Sequence, residues 1–168
     1  MNISFRPLVS ADLEQLHEWL QRPHVRRWWR DSDTYDETVA HYRPSLEGDD
    51  PSEHYVIVVD GRDAGMIETY PVSDYPEYDA LVDAGTDVAG VDLLIGEADL
   101  TRRGIGTETL RRFVDDVVFA RHETVACIAG VDVENEASLR AFAKAGFGPV
   151  RDYEEEGRPH RLVRRDRG

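Results

Sequence analysis

Asp92-Leu93-Leu94-Ile95-Gly96, followed by Arg102-Arg103-Gly104-Ile105-Gly106-Thr107, is the stretch on which the reading of this chain turns. An apolar strand runs into a basic, glycine-containing turn. An amphipathic helix opens directly behind it, with Leu110, Phe113, Val114, Val117 and Val118 at helical spacing. Small residues let a backbone approach a ligand closely. The free N–H groups of a helix start point outward and favour anions. The turn is therefore a candidate pyrophosphate cradle. It is not a Walker loop, since no Gly-Lys-Ser/Thr follows, and it lacks the third glycine of a dinucleotide fingerprint. Asp92, read at the N-terminal side of the strand, holds a carboxylate near whatever the cradle binds.

Outward from this stretch, the patterns alternate between strand and helix. Ile3 to Leu8 alternates and reads as a strand. Ser10 is placed to cap a helix with Asp12 and Glu14 in its first turn and Leu13, Leu16 and Leu20 on one face, Trp19 beside them. Pro23 ends it, a short piece runs from His24 to Trp29, and Tyr35 to Leu46 reads as another helix. Tyr55 to Val59 and Ala64 to Tyr70 are strands around an Asp60-Gly61 hairpin turn. From Pro71 to about Ala89 the chain is acidic, tyrosine-bearing and without period, which predicts a long loop. Val91 to Ile95 is a strand, Gly104 to about Arg121 a helix, and Thr124 to Val133 a strand. Asn135 caps a helix that Gly146 ends. Phe147 to Tyr153 and His160 to Val163 predict a closing hairpin around Gly157-Arg158-Pro159. The order is that of an α/β domain with a mixed sheet, and 168 residues predict one domain, residues 1–168.

The chain carries 34 acidic and 20 basic residues, a formal net charge of −14. Such a surface repels nucleic acid and anionic membrane and attracts cations. Lys144 is the only lysine. A GC-rich genome and a salty cytoplasm are plain sources of this bias, and a cationic substrate is the functional one. The single cysteine, Cys127, lies in an apolar run and reads as a buried small hydrophobe. It excludes a disulfide framework and a cysteine zinc site. The histidines show no metal-ligand spacing, so no metal is expected. Without a signal peptide or membrane-length apolar stretch, a cytoplasmic location is expected.

The element order, with a glycine turn opening the helix after the fourth strand, resembles the GNAT acyltransferase superfamily. Within it the chain is most similar to the aminoglycoside 6′-N-acetyltransferases. The resemblance rests on His17 to Val25 with Trp28-Trp29, Gly90-Val91-Asp92-Leu93-Leu94-Ile95-Gly96-Glu97, Arg103 to Thr107, and Asn135 to Phe147. It implies a GNAT fold, a mixed central sheet of about seven strands flanked by helices. It also implies acetyl-coenzyme A as co-substrate, a cationic amine acceptor and an antibiotic-resistance activity, with the protein a monomer or homodimer. The tryptophan segment also resembles siderophore-pathway lysine N-acyltransferases, which tend to have a histidine where this chain has Asp92. A siderophore hydroxylysine or a polyamine is the alternative acceptor, and a catalytically weak coenzyme A-binding or drug-sequestering module the alternative outside enzymes.

Amide formation from a thioester needs a neutral amine, a polarised carbonyl and a thiolate leaving group. No activated nucleophile stands out, so transfer is read as direct. Asp92 can hold an ammonium and take its proton; the plain alternative is a sheet-edge carboxylate, since aspartate is disfavoured in strands. The resemblance implies that the amides of Arg103, Gly104, Ile105, Gly106 and Thr107, with the charge of Arg102 and Arg103, receive the pyrophosphate. It implies that Leu94 and Ile95 line the pantetheine arm, and that Asn135 and Ser138 touch it; Asn135 is equally a helix cap. For the acceptor, the insert offers Glu77, Asp79, Asp83 and Asp87 beside Tyr75 and Tyr78, either as ligands of ammonium groups or as a solvated loop. Trp28 is a further candidate for the acceptor, as a direct ligand or as core or pocket wall. Two positions depart from the superfamily. Thr101 stands where Arg or Gln is usual. Phe142 stands where a tyrosine commonly protonates the departing thiolate, so an active but slow enzyme is expected.

Overall fold

The computed structural model describes residues 1–168. Its strands form one mixed sheet in the order β1-β2-β3-β4-β5-β7-β6. They are β1 (Ile3–Pro7), β2 (Glu53–Val59), β3 (Arg62–Pro71), β4 (Val88–Ile95), β5 (Ala126–Asp132), β6 (Gly148–Glu155) and β7 (Arg158–Asp166). The helices are α1 (Leu13–Gln21), α2 (Pro23–Arg26), α3 (Tyr35–Leu46), α4 (Pro76–Val82), α5 (Ile105–Phe113) and α6 (Glu136–Lys144). By internal contacts the chain divides into two compact units, residues 1–68 with 92–101, and residues 69–91 with 102–168.

In the first unit, β1 pairs antiparallel with β2 from Ile3↔Val59 to Pro7↔Tyr55. The apolar face of α1 builds the core: Leu13, Leu16, Trp19 and Leu20 are buried with Tyr42, Val56, Met66 and Leu94. The expected cap at Ser10 is replaced by a 3-10 turn, Ser10–Asp12, in which the Asp12 carboxylate accepts from the Val9 N–H at 2.9 Å. Arg6 clasps the same carboxylate through both its terminal nitrogens at 2.9 Å. Asp60 and Gly61 both take positive φ (49° and 82°), the geometry of a two-residue hairpin turn. α3 has the predicted bounds, capped by the Thr34 hydroxyl, which accepts from the Glu37 N–H at 3.1 Å.

In the second unit, β4 pairs parallel with β5 at Val88↔Ala126, Ala89↔Cys127 and Gly90↔Ile128. β5 pairs antiparallel with β7, and β7 with β6. The stretch predicted as a loop from Pro71 to Ala89 instead holds a 3-10 turn, Val72–Asp74, and the helix α4. Pro76 sits in its first turn, and Val82 is buried against Val88, Ala126, Ile128 and Leu162, with Tyr78 packed beside them. The packed face is too short to show a helical period. The final hairpin turns at Glu156 and Gly157, both at positive φ (52° and 75°); Arg158 and Pro159, predicted for the turn, already belong to β7. α5 continues into a π-helical turn, Val114–Val118, with the Phe119 N–H donating to the Val114 carbonyl at 2.9 Å. Arg167 lies over the Phe119 ring and donates to the carbonyls of Phe119, Arg121 and Thr124. No helix is long and apolar enough to cross a membrane.

Candidate active site

The glycine turn is built for backbone exposure. Arg102 and Gly104 both adopt the left-handed conformation, φ 61° and 75°. For arginine that conformation costs on the order of 1–3 kcal/mol, a strain of the kind that clusters at binding sites. The first helical bond behind the turn is from the Glu108 N–H to the Gly104 carbonyl, 3.1 Å. The amides before it, through Thr107, therefore point out of the helix end. Arg102 and Arg103 are exposed and have neither an ion pair nor a side-chain hydrogen bond. Most arginines in this acidic chain are paired, among them Arg6, Arg22, Arg62, Arg111, Arg112, Arg158 and Arg161. Two unpaired cations, one of them on a strained backbone, beside outward amides fit a phosphate-bearing ligand.

α6 supports this turn from the side. A Cβ added at Gly106 would stand 4.0 Å from the Ala141 methyl, an ordinary contact, so α5 and α6 lie side by side there. Arg111 donates to the Lys144 carbonyl at 2.8 Å and ties α5 to the end of α6. The Asn135 side chain accepts from the Ser138 N–H at 3.2 Å, so Asn135 does cap α6 and Ser138 is its capped amide. Phe142 is buried at 3% exposure and meets Phe147 edge-on, centroids 5.0 Å apart.

β4 starts at Val88, so Asp92 is its fifth residue, inside the strand rather than at its N-terminal side. Its side chain is half-buried, as are Leu93 and Ile95. Leu94 is buried, its side chain in the core with Trp19 and Met66. The end of β4 is held firmly. His24 Nε2 lies 2.8 Å from the Ile95 carbonyl. Arg22 donates to the Gly96 carbonyl at 2.8 Å and to Glu97 at 2.9 Å. Glu97 also accepts from the Trp19 indole N–H at 3.1 Å. A Cβ at Gly96 would overlap that indole, and one at Gly65 would overlap the Leu94 carbonyl oxygen, so both glycines are required by close approach. Glu97 is a fixing residue that the sequence reading passed over. Its donors Arg62, Arg22 and Trp19 lie from 35 to 78 positions away, beyond the reach of a local pattern.

The residues proposed for the acceptor lie in two stretches of the chain, Trp28 behind α2 and the carboxylates in and after α4. Trp28 is half-buried with the Arg27 guanidinium 4.7 Å over its ring. Trp29 donates to Asp31 at 2.7 Å, and the buried Tyr42 hydroxyl donates to the same carboxylate at 2.6 Å. Burial first, then the charges of Asp31 and Glu68, push the Tyr42 phenol up. Glu77 is exposed and Asp79 half-buried, both in the first turn of α4, where carboxylates suit the helix dipole. Asp83 and Asp87 are exposed and take positive φ (46° and 57°), a conformation aspartate tolerates better than most residues. No group of three or more His, Cys, Asp or Glu side chains is arranged to hold a metal ion.

The chain is similar to known acetyltransferases. A family model described as an acetyltransferase (GNAT) domain matches residues 9–154. Aminoglycoside N(6′)-acetyltransferase type 1 proteins of Klebsiella pneumoniae and Serratia marcescens are each 26% identical to it over 151 residues, 87% of this chain and 74% of theirs. A solved structure of AAC(6′)-Ib in complex with parmomycin and acetyl-CoA superposes with a TM-score of 0.90 at 25% identity, covering 99% of this chain and 94% of that one. Another, in complex with coenzyme A and kanamycin, gives 0.89 at 25% identity, covering 99% and 95%. With the family model matching nearly the whole length, the chain belongs to the acetyltransferase (GNAT) domain family.

Proposed function

We propose that this protein transfers an acetyl group from acetyl-coenzyme A to an amino group of an aminoglycoside or a similar polycationic amine, in the cytoplasm. The observation that carries the cofactor half is the strained Arg102-Arg103-Gly104 turn with its unpaired guanidiniums and outward amides. The named substrates of the similar proteins, together with a carboxylate inside β4, carry the acceptor half.

Acetyl-coenzyme A supplies an activated thioester. The amides of Arg103 to Thr107 bind its diphosphate with the charges of Arg102 and Arg103. β4 continues past Gly90, where its register with β5 ends, and its backbone at Asp92 to Ile95 offers hydrogen-bonding groups to an extended arm. Asp92 holds the acceptor ammonium and takes one proton, directly or through water, leaving a neutral nucleophile. The C–N bond forms as the C–S bond breaks, and the amine's surplus proton leaves to water, since Asp92 already carries the proton taken from the ammonium. Phe142 cannot donate, so the thiolate takes its proton from solvent.

The test is free-thiol release from acetyl-coenzyme A across kanamycin, spermidine and lysine derivatives. Asp92→Asn should lower kcat by ~10²-fold or more while the acetyl-coenzyme A-induced rise in Tm is kept. Unchanged turnover with kanamycin would make Asp92 structural. Thiol release with spermidine alone would move the acceptor to linear polyamines.

A further inference from the structure

Asp31 stands between α2 and α3, and its partners set it apart from the other carboxylates. Its Oδ2 accepts from the Trp29 indole N–H at 2.7 Å and from the buried Tyr42 hydroxyl at 2.6 Å, and its Oδ1 accepts from the Ser32 hydroxyl at 2.9 Å. His41 Nε2 lies 3.5 Å from Oδ2. No arginine answers the charge, although the segment is rich in them. Arg26 pairs with Asp33 and donates to the Gln21 side chain, Arg27 lies over the Trp28 ring, and Arg30 donates to the Arg26 carbonyl. Asp12, Glu97, Asp132 and Asp152, by contrast, each sit against an arginine. The Asp31 side chain is 20% exposed, so water reaches it only in part. Its hydrogen bonds come from neutral donors, and two of them belong to aromatic rings.

The tryptophans lie on a segment fixed to the end of β4. The main-chain N–H groups of Trp28 and Trp29 donate to the Val25 carbonyl at 3.0 and 2.9 Å, so both residues continue the turn of α2. His24 of the same helix reaches the Ile95 carbonyl at 2.8 Å, on the strand that carries Asp92. Trp29 is half-buried, packed in part on the core that contains Leu16, Tyr42 and Leu94. A hydrogen bond to an ionised acceptor is stronger than one to a neutral acceptor, and it polarises its donor. An indole that gives its N–H to a carboxylate carries more negative charge on its ring face, and that face attracts cations. Asp31 therefore fixes the orientation of Trp29 and also loads the ring with charge, without offering its own oxygens to a ligand.

We propose that Asp31 is a positioning residue for the acceptor, which through the Trp29 indole orients and polarises an aromatic wall for a cationic amine. It acts through the indole and does not itself touch the ligand. The inference rests on the acetyltransferase reading for its ligand class. Trp29, Asp31, Tyr42 and Asp92 all lie within residues 1–68 and 92–101.

The experiment is thiol release with kanamycin for the parent, Asp31→Asn, Trp29→Phe and the double variant, beside calorimetry of kanamycin binding to each. Phenylalanine keeps a ring but has no N–H to give. Asp31→Asn should raise KM for kanamycin about fivefold, the scale of one cation–π contact. Its kcat, its KM for acetyl-coenzyme A and the acetyl-coenzyme A-induced rise in Tm should change little. In the Trp29→Phe background, adding Asp31→Asn should move KM for kanamycin by less than about twofold, because the carboxylate acts through the indole. A carboxylate that only stabilises the fold would lower Tm and leave KM for kanamycin unmoved. That result overturns the proposal, as does full additivity in the double variant. Should Asp31→Asn not fold, Trp29→Phe decides: a parent-like KM for kanamycin overturns the proposal, and a raised KM at unchanged kcat supports it. Kanamycin binding that weakens in Asp31→Asn, with no thiol release by the parent, would refute the enzymatic reading and leave the positioning role standing. A parent that binds no kanamycin overturns both.

Discussion

Replacing Glu97 by glutamine keeps the side chain's length and one acceptor oxygen but removes its charge. The carboxylate accepts from Trp19 at 3.1 Å, Arg22 at 2.9 Å and Arg62 at 3.2 Å, and its side chain is 18% exposed. In the variant the amide oxygen retains the buried indole N–H, while the new NH₂ faces guanidiniums. A hydrogen bond between charged groups contributes about 1.5–3 kcal/mol. Arg22 is 35% exposed, which calls for the low end, and the surface pair with Arg62 is given no weight. The expected loss is about 1.5 kcal/mol, which lowers Tm by ~3–6 °C in a chain of this size. The pH dependence is a second, independent readout. Burial alone would raise the Glu97 carboxyl, but the bonds from Trp19 and Arg22 and the charges of Arg22 and Arg62 outweigh it, holding it below the ordinary value of 4.5. A depressed carboxyl stabilises the fold above its unfolded value, and that stability is lost as pH falls through the folded one. Parent and variant should therefore differ fully at pH 7 and converge below pH 4.5. Thermal melts by circular dichroism at pH 7, 5 and 3 decide it. Equal Tm at pH 7, or a gap that persists undiminished to pH 3, would refute the assignment of the clamp to charge.

Two further substitutions address the cradle and the departure at 142. Gly104→Ala adds a Cβ with nothing within 4 Å, so its cost is purely the left-handed backbone, ~1–2 kcal/mol. The Tm should fall by a few degrees and the acetyl-coenzyme A-induced shift should shrink; a full shift in the folded variant would remove the turn from the ligand's path. Phe142→Tyr places a hydroxyl among apolar neighbours beside Phe147, and left unpaired it costs about 1–3 kcal/mol. Lower Tm without a gain in kcat is expected, whereas a tyrosine variant as stable as the parent and faster would show that the position faces the leaving thiol.

Much of this molecule is written in short stretches of its chain. Leu13, Leu16, Trp19 and Leu20 announce the buried face of α1 by spacing alone, because a helix repeats every 3.6 residues whatever it packs on. Asp60-Gly61, Gly104 and Gly146 sit where positive φ is needed, a demand the backbone makes locally. Asn135 caps α6 through a bond to an amide three residues away. These features depend on neighbours a few positions off, so a linear reading finds them, and the motif around Gly104 pointed to the family together with the element order and the segments at 17–29, 90–97 and 135–147.

The remainder came from contacts between distant positions. α4 carries too few apolar residues to show a period; Val82 and Tyr78 hold it through strands formed up to eighty residues later. β7 enters the sheet between β5 and β6, an order no local pattern encodes. Glu97 gathers donors from positions 19, 22 and 62, and Gly130 is explained only by tyrosines at 78 and 153. Asp83 and Asp87, read as substrate carboxylates, stand at positive φ where α4 gives way to β4. Charge and residue type are properties of the sequence, but what a carboxylate answers to depends on which cations the folded chain brings within a few ångströms, because electrostatic and packing energies fall steeply with distance.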